Sequence, residues 1–147
     1  MMRAILAALA LAACAPTEGG KGADVSADRV QAPTPSDVTI RITQEQNGEA
    51  VTVAANQRFA VELVGVPTAG YVWEPKQVPD FLTRAGEATG DTVPEQSQPG
   101  YAGGNHWEVF MFAATGPGTG ELVLEQRRPW ETNEPAAQTF RVTIVAQ

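Results

Sequence analysis

Residues 58–63 read Arg58-Phe59-Ala60-Val61-Glu62-Leu63, and this alternation of large apolar residues with charged or small ones indicates the fold class. Successive side chains of an extended strand point to opposite faces, so Phe59, Val61 and Leu63 share one face. A period of two over five or more residues is typical of a half-buried β-strand. The stretch therefore predicts a strand that packs one face into a hydrophobic core.

Similar patterns occur on both sides of this stretch. Residues 38–42 and 140–144 alternate in the same way, and residues 50–54 are rich in β-branched side chains. Residues 107–114 are apolar on both faces, as in a central strand, and residues 121–125 form another short candidate strand. Glycine, proline and asparagine separate these runs, and no segment shows a sustained helical period. Seven or eight short strands within residues 37–147 predict an all-β, immunoglobulin-like antiparallel β-sandwich.

Composition excludes several classes of function. The chain has 147 residues, with 10 Lys and Arg against 17 Asp and Glu, and a formal charge of −7. An acidic chain cannot neutralise a row of phosphates, so we expect no nucleic-acid partner. One Cys excludes an internal disulfide, and one His argues against a His-based metal site. We therefore expect no metal and no cofactor.

The only imidazole, His106, does not indicate catalysis. No Ser or Cys in the chain shows a matching pattern of base and orienting residue. We interpret His106 as a polar residue at the start of a strand. The sequence thus predicts a protein that is not an enzyme and acts through shape and backbone presentation.

The amino terminus predicts export and a lipid anchor. Met1, Met2 and Arg3 precede an uncharged apolar run at residues 4–13, which is too short to span a bilayer but suits a signal peptide. The small residues before Cys14 resemble the bacterial lipobox, which implies cleavage before Cys14, lipid on its sulfur and an acylated new amino terminus. Two or more acyl chains give a stable membrane anchor. The alternative is an ordinary signal peptide in which Cys14 is incidental.

The lipobox resemblance also implies a location in the bacterial cell envelope. Ala15, rather than Asp, follows the Cys, which in a Gram-negative cell implies the outer membrane, at its periplasmic face or at the cell surface. Residues 15–36 contain no aromatic residue and several Pro and Gly, so we expect a disordered tether. The predicted division is a signal peptide at 1–13, a lipidated Cys with its tether at 14–36, and a folded domain at 37–147.

Three connections between the predicted strands stand out. In the first, Pro67 fixes φ and Gly70 permits positive φ before the aromatic residues Tyr71 and Trp73. Tyr71 and Trp73 could instead belong to the core, and for Trp73 we favour the core. The second connection, residues 90–104, is long and rich in glycine, which suits either a functional loop or a floppy one.

The third connection contains Arg128, Pro129 and Trp130. Trp and Arg are the residues that most often anchor interfaces, although Trp130 could also fold back over the sheet edge. Together the three connections resemble the chagasin family of cysteine-peptidase inhibitors (inhibitor family I42). The family pattern is Asn-Pro-Thr-Thr-Gly-Tyr/Phe, then Gly-x-Gly-Gly, then Arg-Pro-Trp. The corresponding stretches here are residues 66–71, residues 101–104 preceded by Gly100, and residues 128–130.

The resemblance implies a monomeric inhibitor that blocks the active-site cleft of papain-like cysteine peptidases with three loops at one end of an immunoglobulin-like sandwich. The first loop would cover the catalytic Cys and His, and the other two would flank the cleft. The residues implied in peptidase binding are Pro67, Thr68, Ala69, Gly70, Tyr71, Gly100, Gly103, Gly104, Arg128, Pro129 and Trp130.

Two residues depart from the family pattern. Val66 replaces the family Asn, and Ala69 replaces the second Thr. Val cannot make the side-chain hydrogen bonds with which Asn stabilises a turn, so we expect a less preorganised first loop. These departures leave open an alternative, an envelope lipoprotein that uses the same fold to bind or scaffold a protein that is not a peptidase.

Overall fold

A computed structural model describes residues 29–147. Their strands are β1 (Ile40–Thr43), β2 (Ala50–Val53), β3 (Arg58–Gly65), β4 (Val72–Gln77), β5 (Leu82–Asp91), β6 (His106–Ala114), β7 (Gly118–Arg127) and β8 (Gln138–Ala146). The helical segments in this part of the chain are three short 3-10 turns, at Gln44–Gln46, Pro67–Ala69 and Pro94–Ser97. Residues 29–147 contain no helix long and apolar enough to cross a bilayer.

The strands form two four-stranded sheets. Sheet I has the order β1-β3-β6-β5, and sheet II has the order β2-β8-β7-β4. The pairs β1–β3 and β2–β8 at two sheet edges are parallel, and the remaining pairs are antiparallel. The predicted all-β, immunoglobulin-like sandwich of seven or eight strands is confirmed.

The main core lies between the two sheets and contains the predicted face of β3. Phe59, Val61 and Leu63 are at most 1% exposed, and the ring of Phe59 stacks on that of Phe112 with centroids 5.7 Å apart. Burial of each such side chain contributes roughly 1.5–3 kcal/mol to folding. From β8, Phe140 also lies in this core, so both alternating stretches pack as predicted.

Two strands were not predicted, and both lie at sheet edges. β4 contains Pro75, which an edge strand tolerates because one side of its backbone has no strand partner. β5 is polar and contains a bulge between Arg84 and Gly86, and many of its side chains are exposed. Neither strand therefore shows the alternation that identifies β3 and β8.

The start of the domain also differs from the prediction. Residues 30–36, predicted to belong to the tether, pack on the outer face of sheet I. Ala32 is 7% exposed and joins Val38, Ala60, Val109 and Met111 in a second apolar cluster. The outward side of sheet I is apolar here, and this segment covers it. The signal peptide, Cys14 and the rest of the predicted tether lie outside the described residues.

Candidate functional site

Three connections leave the sandwich at the same end. Gly65 at the end of β3 pairs with His106 at the start of β6, and Asp91 at the end of β5 pairs with His106 from the other side. In sheet II, β4 begins opposite Arg127, the last residue of β7. We call residues 66–71 loop 1, residues 92–105 loop 2 and residues 128–137 loop 3. The register therefore places all three sequence motifs at one end of the molecule.

Loop 1 is a closed turn held by its own backbone. Val66 and Tyr71 exchange two backbone hydrogen bonds of 3.0 and 3.2 Å. The N–H of Ala69 donates to Val66 O and that of Gly70 to Pro67 O, both at 2.9 Å. The side chain of Val66 makes no capping hydrogen bond, as predicted for the replacement of Asn. The backbone bonds nevertheless close the turn, and Pro67, Thr68 and Ala69 are exposed at its tip.

Loop 3 packs directly against loop 1 through Trp130. Trp130 is 67% exposed, which argues against the alternative in which it folds back over the sheet edge. A Cβ placed on Gly70 would lie 2.2 Å from Cη2 of Trp130, which shows that the indole lies against the Gly70 backbone. Gly70 has φ +82°, a conformation that disfavours any residue with a Cβ. Only glycine at this position satisfies both the turn and the close approach of the indole.

Arg128 makes a second connection between the same two loops. Its Nε donates to Ala69 O at 2.9 Å, and its guanidinium carbon lies 4.5 Å from the centroid of the Tyr71 ring. Its Nη1 donates to the Glu131 carboxylate at 3.0 Å. A planar guanidinium can make these contacts simultaneously, whereas a lysine ammonium cannot. Loops 1 and 3 therefore behave as one unit.

Loop 2 is stabilised at its neck, the point where it leaves the sheet. The side-chain oxygen Oε1 of Gln96 accepts from Thr92 N at 2.7 Å and from Val93 N at 3.0 Å. The side-chain nitrogen Nε2 of Gln96 donates to Asn105 O at 2.8 Å. The Thr92 hydroxyl also donates to Asn105 O, at 2.9 Å. These bonds join the two legs of the loop across its base, so loop 2 is closed at the neck rather than floppy.

The tip of loop 2 is more open. A Cβ on Gly103 would lie 4.0 Å from the Thr68 hydroxyl, so this part of loop 2 borders loop 1. A Cβ on Gly104 would lie 3.1 Å from the hydroxyl oxygen of Tyr101, whose side chain is 44% exposed. Around Gly100 a Cβ would meet no atom within 4 Å. Gly103 thus borders loop 1, Gly104 lies against Gln96 and Tyr101 within loop 2, and Gly100 lies at an open tip.

Beneath the loops, a buried carboxylate joins the two sheets. Glu108 on β6 is 8% exposed, and its Oε2 accepts from Trp73 N on β4 at 2.8 Å. The Trp73 indole donates to Val64 O at 2.9 Å, and Trp73 is only 4% exposed, which confirms its prediction as a core residue. A Cβ on Gly65 would lie 1.7 Å from Glu108 Oε1, so Gly65 provides the space for this carboxylate.

The environment of Glu108 changes its titration. Burial raises the pKa of Glu108 above its ordinary value, and the Trp73 N–H and nearby His106 oppose that rise. His106 itself is the first residue of β6, with Nε2 3.7 Å from Asp91 Oδ1, which agrees with a polar residue at a strand end. Among the described residues, no group of three or more His, Cys, Asp or Glu side chains could hold a metal ion.

Most of the residues singled out in the sequence lie together at this end. Loops 1 and 3 bring Pro67, Thr68, Ala69, Gly70, Tyr71, Arg128, Pro129 and Trp130 into one exposed or half-exposed surface. Sequence reasoning missed Gln96, Thr92, Glu131 and Glu108, which position the loops rather than form their tips. The sequence does not show whether an amide or hydroxyl side chain in a polar loop makes a hydrogen bond within the protein or is hydrated by solvent.

Comparison with known proteins identifies relatives over most of the domain. Residues 52–144 match the family model described as chagasin family peptidase inhibitor I42. Amoebiasin-1 of Entamoeba histolytica is 32% identical over 106 residues, which is 72% of this chain and 98% of that protein.

Two solved structures have the same fold. The cysteine protease inhibitor EhICP2 from Entamoeba histolytica aligns with a TM-score of 0.65 at 16% identity, covering 78% of this chain and all of that one. The solution structure of Amebosin aligns with a TM-score of 0.57 at 27% identity, covering 74% of this chain and 97% of that one. The matched family consists of inhibitors, which confirms the prediction that the chain is not an enzyme. This chain belongs to the chagasin family of peptidase inhibitors, I42.

Proposed function

We propose that this chain inhibits papain-like cysteine peptidases by inserting loops 1, 2 and 3 into the active-site cleft. The strongest support for this proposal is Trp130, which is exposed and lies against Gly70 at the end of the domain where all three loops meet. An exposed Trp with a fixed position offers a large contact area and loses little entropy on binding.

The loops support different parts of this mechanism. Thr68 is the exposed polar side chain at the tip of loop 1, and we place it nearest the catalytic Cys and His of the enzyme. Trp130, with Arg128 and Pro129, contacts one wall of the cleft. The glycines of loop 2, Gly103 and Gly104, allow its backbone to approach the opposite wall.

The geometry of loop 1 also supports inhibition without cleavage. Hydrogen bonds occupy the carbonyl oxygens of Val66, Pro67 and Ala69. For cleavage, the thiolate of the peptidase must approach the carbonyl carbon of a peptide bond in the correct geometry. A peptide bond held in another geometry is cleaved slowly. A 3-10 turn at Pro67–Ala69 is far from the extended shape of a substrate. Loop 1 would therefore fill the catalytic centre in a conformation that does not hold a peptide bond in the geometry that the thiolate attacks.

We further propose that the domain is attached to a bacterial membrane through lipid on Cys14. The apolar run at residues 4–13, followed directly by the only Cys in the chain, supports this part of the proposal. The lipid keeps the inhibitor at the cell envelope, where it acts on peptidases that reach the membrane surface.

An inhibition panel tests the proposed function. Papain and several related cysteine peptidases are incubated with the protein, with trypsin as the serine-peptidase control. We expect inhibition constants below about 1 μM, equivalent to roughly 8 kcal/mol of binding free energy, for at least one papain-like enzyme and none for trypsin. Full activity of every cysteine peptidase at high inhibitor concentration, together with capture of a partner that is not a peptidase, would favour the scaffolding alternative.

The lipid anchor has a separate test. Wild-type protein and the Cys14→Ser variant are expressed in a Gram-negative host, and the membrane fraction is analysed by mass spectrometry. We expect an acylated Cys14 at the mature amino terminus and no membrane association of the variant. An unmodified Cys14 in a correctly exported protein contradicts the anchor and leaves the inhibition proposal untouched.

A further inference from the structure

One residue outside the three motifs, Val30, hydrogen-bonds to residues on both sides of the base of loop 2. The N–H of Val30 donates to Thr92 O at 2.9 Å, at the residue where loop 2 leaves β5. The indole Nε1 of Trp107, two residues after loop 2 ends, donates to Val30 O at 2.7 Å. The amide and the carbonyl of Val30 thus hydrogen-bond to opposite sides of the loop's base.

The segment that carries Val30 is held in place independently of loop 2. Ala32 is buried in the apolar cluster on the outer face of sheet I. The Pro33 ring packs so closely on β5 that a Cβ on Gly90 would lie 3.1 Å from its Cγ. The Thr34 hydroxyl donates to the buried Glu62 carboxylate. These contacts fix the segment on the sheet, so Val30 presents its backbone groups from a rigid support.

The contacts of Val30 continue into the loop through Thr92. The carbonyl of Thr92 accepts from Val30, while its N–H donates to Gln96 Oε1 at 2.7 Å. Gln96 in turn donates to Asn105 O on the other leg. A continuous set of hydrogen bonds therefore runs from the amino-terminal segment, through Thr92 and Gln96, across the neck of loop 2.

We propose that Val30 is a positioning residue for inhibition: its backbone groups hold the neck of loop 2 in the conformation that binds the peptidase. The inference rests on the proposed function, and it assigns to residues 30–36 a role beyond that of a tether. Loop 2 makes few contacts at its tip, so its preorganisation depends on its base. A loop that is less ordered before binding loses more entropy when it docks.

Three substitutions in the full chain test this inference. Val30→Pro removes the N–H that donates to Thr92, and Trp107→Phe removes the indole donor but retains an aromatic ring. Val30→Ala retains both backbone groups and is the matched control. Loss of one hydrogen bond corresponds to about a fivefold change in an equilibrium constant, so we expect the first two variants to raise the inhibition constant for papain about fivefold. We expect Val30→Ala to stay within about twofold of wild type on the same scale.

Amide hydrogen exchange gives a readout that does not require a peptidase. The N–H groups of Gln96, Gln98 and Tyr101 donate to carbonyls within loop 2 and report on its order. We expect faster exchange at these amides in Val30→Pro and unchanged exchange in Val30→Ala. Unchanged exchange in Val30→Pro, or equal acceleration in both variants, overturns the inference. Absence of inhibition by the wild type refutes the proposed function, while the exchange data still decide whether Val30 orders loop 2.

A double-mutant comparison separates positioning from general destabilisation. Val30→Pro is combined with Gln96→Ala in loop 2 and, separately, with Trp130→Ala in loop 3. We expect the effects on the inhibition constant to be non-additive with Gln96→Ala and additive with Trp130→Ala. Equal coupling to both substitutions contradicts a role specific to loop 2.

Discussion

Loops 1 and 3 differ from loop 2 in where their support comes from. Loops 1 and 3 hold each other, because Trp130 lies on Gly70 and Arg128 donates to Ala69 O. Loop 2 has no comparable partner at its tip, and the hydrogen bonds that join its two legs lie at its neck, around Thr92 and Gln96. In one case the residues that would contact a peptidase are also the ones that order the site. In loop 2, the residues that order the loop differ from the residues that would contact a peptidase.

This difference separates two ways in which a substitution can weaken binding. In loops 1 and 3, a substitution removes a contact and disorders the neighbouring loop together. In loop 2, the neck can be loosened without touching the tip. Substitutions at Trp130, Arg128 and Gln96 distinguish the two cases.

Trp130→Ala should have the largest effect on inhibition. Truncation of a central Trp anchor costs about 2 kcal/mol or more, which weakens inhibition roughly 30-fold. The side chain is 67% exposed, so the fold should be retained, as checked by thermal unfolding. Asp80→Ala is the control, because Asp80 is exposed in the connection between β4 and β5, at the opposite end of the sandwich. Inhibition equal to wild type in Trp130→Ala contradicts the binding surface proposed here.

Arg128→Lys should weaken inhibition about tenfold, since a lysine cannot replace the planar guanidinium on Tyr71 while donating to Ala69 O. The inhibition constant for papain measures the effect. Arg141→Lys, on the exposed face of β8, is the matched control and should behave as wild type. If both lysine variants inhibit equally well, the connection between loops 1 and 3 does not contribute to binding.

Gln96→Ala should weaken inhibition about fivefold, through a faster dissociation rate, because the legs of loop 2 lose a side chain that joins them. Surface plasmon resonance with an immobilised, thiol-blocked papain measures both rate constants. The same variant should leave amide exchange in loops 1 and 3 unchanged. Faster exchange in all three loops indicates instead that they form a single cooperative unit.

Glu108→Gln should change only the pH dependence of stability. Burial raises the pKa of Glu108, so the folded state holds this proton more tightly than the unfolded chain. The protonated Glu108 side chain therefore contributes to stability below pH 4.5, the ordinary pKa of this group. This contribution is lost as the pH rises through the raised pKa. Denaturant unfolding across this pH range should show that the free energy of unfolding of the wild type declines as the pH rises. This decline should be absent from Glu108→Gln, whose amide oxygen can still accept from the Trp73 N–H. An identical pH dependence in both proteins contradicts the raised pKa.

The predictable parts of the fold are those whose signal is local. Phe59 and Phe140 lie in alternating stretches whose apolar faces fill the core. β5 could not be recognised, because an edge strand with a bulge at Gly86 and many exposed side chains has no apolar period. The composition of residues 30–36 predicts a tether for a similar reason. Their order depends on an apolar outer face of sheet I, which the sequence of the segment itself does not reveal.

In the candidate site, too, only the residues with a local sequence signal could be predicted. The tips of loops 1 and 3 could be recognised, since Pro67 and Gly70 together indicate a preset turn and Trp130 is an uncommon residue type for a polar loop. The positioning residues Thr92, Gln96 and Val30 could not, since two of them act through ordinary polar groups and the third through its backbone. Their roles depend on contacts between distant parts of the chain, such as the hydrogen bond between Val30 and Trp107, which are 77 positions apart in the sequence.

Amide hydrogen exchange of the full chain, with and without thiol-blocked papain, locates the surface that binds the peptidase. We predict that papain slows exchange in loops 1, 2 and 3, at residues 66–71, 92–105 and 128–137, and leaves the opposite end of the sandwich unchanged. Protection confined to another surface, or no protection at saturating papain, would contradict a three-loop inhibitor.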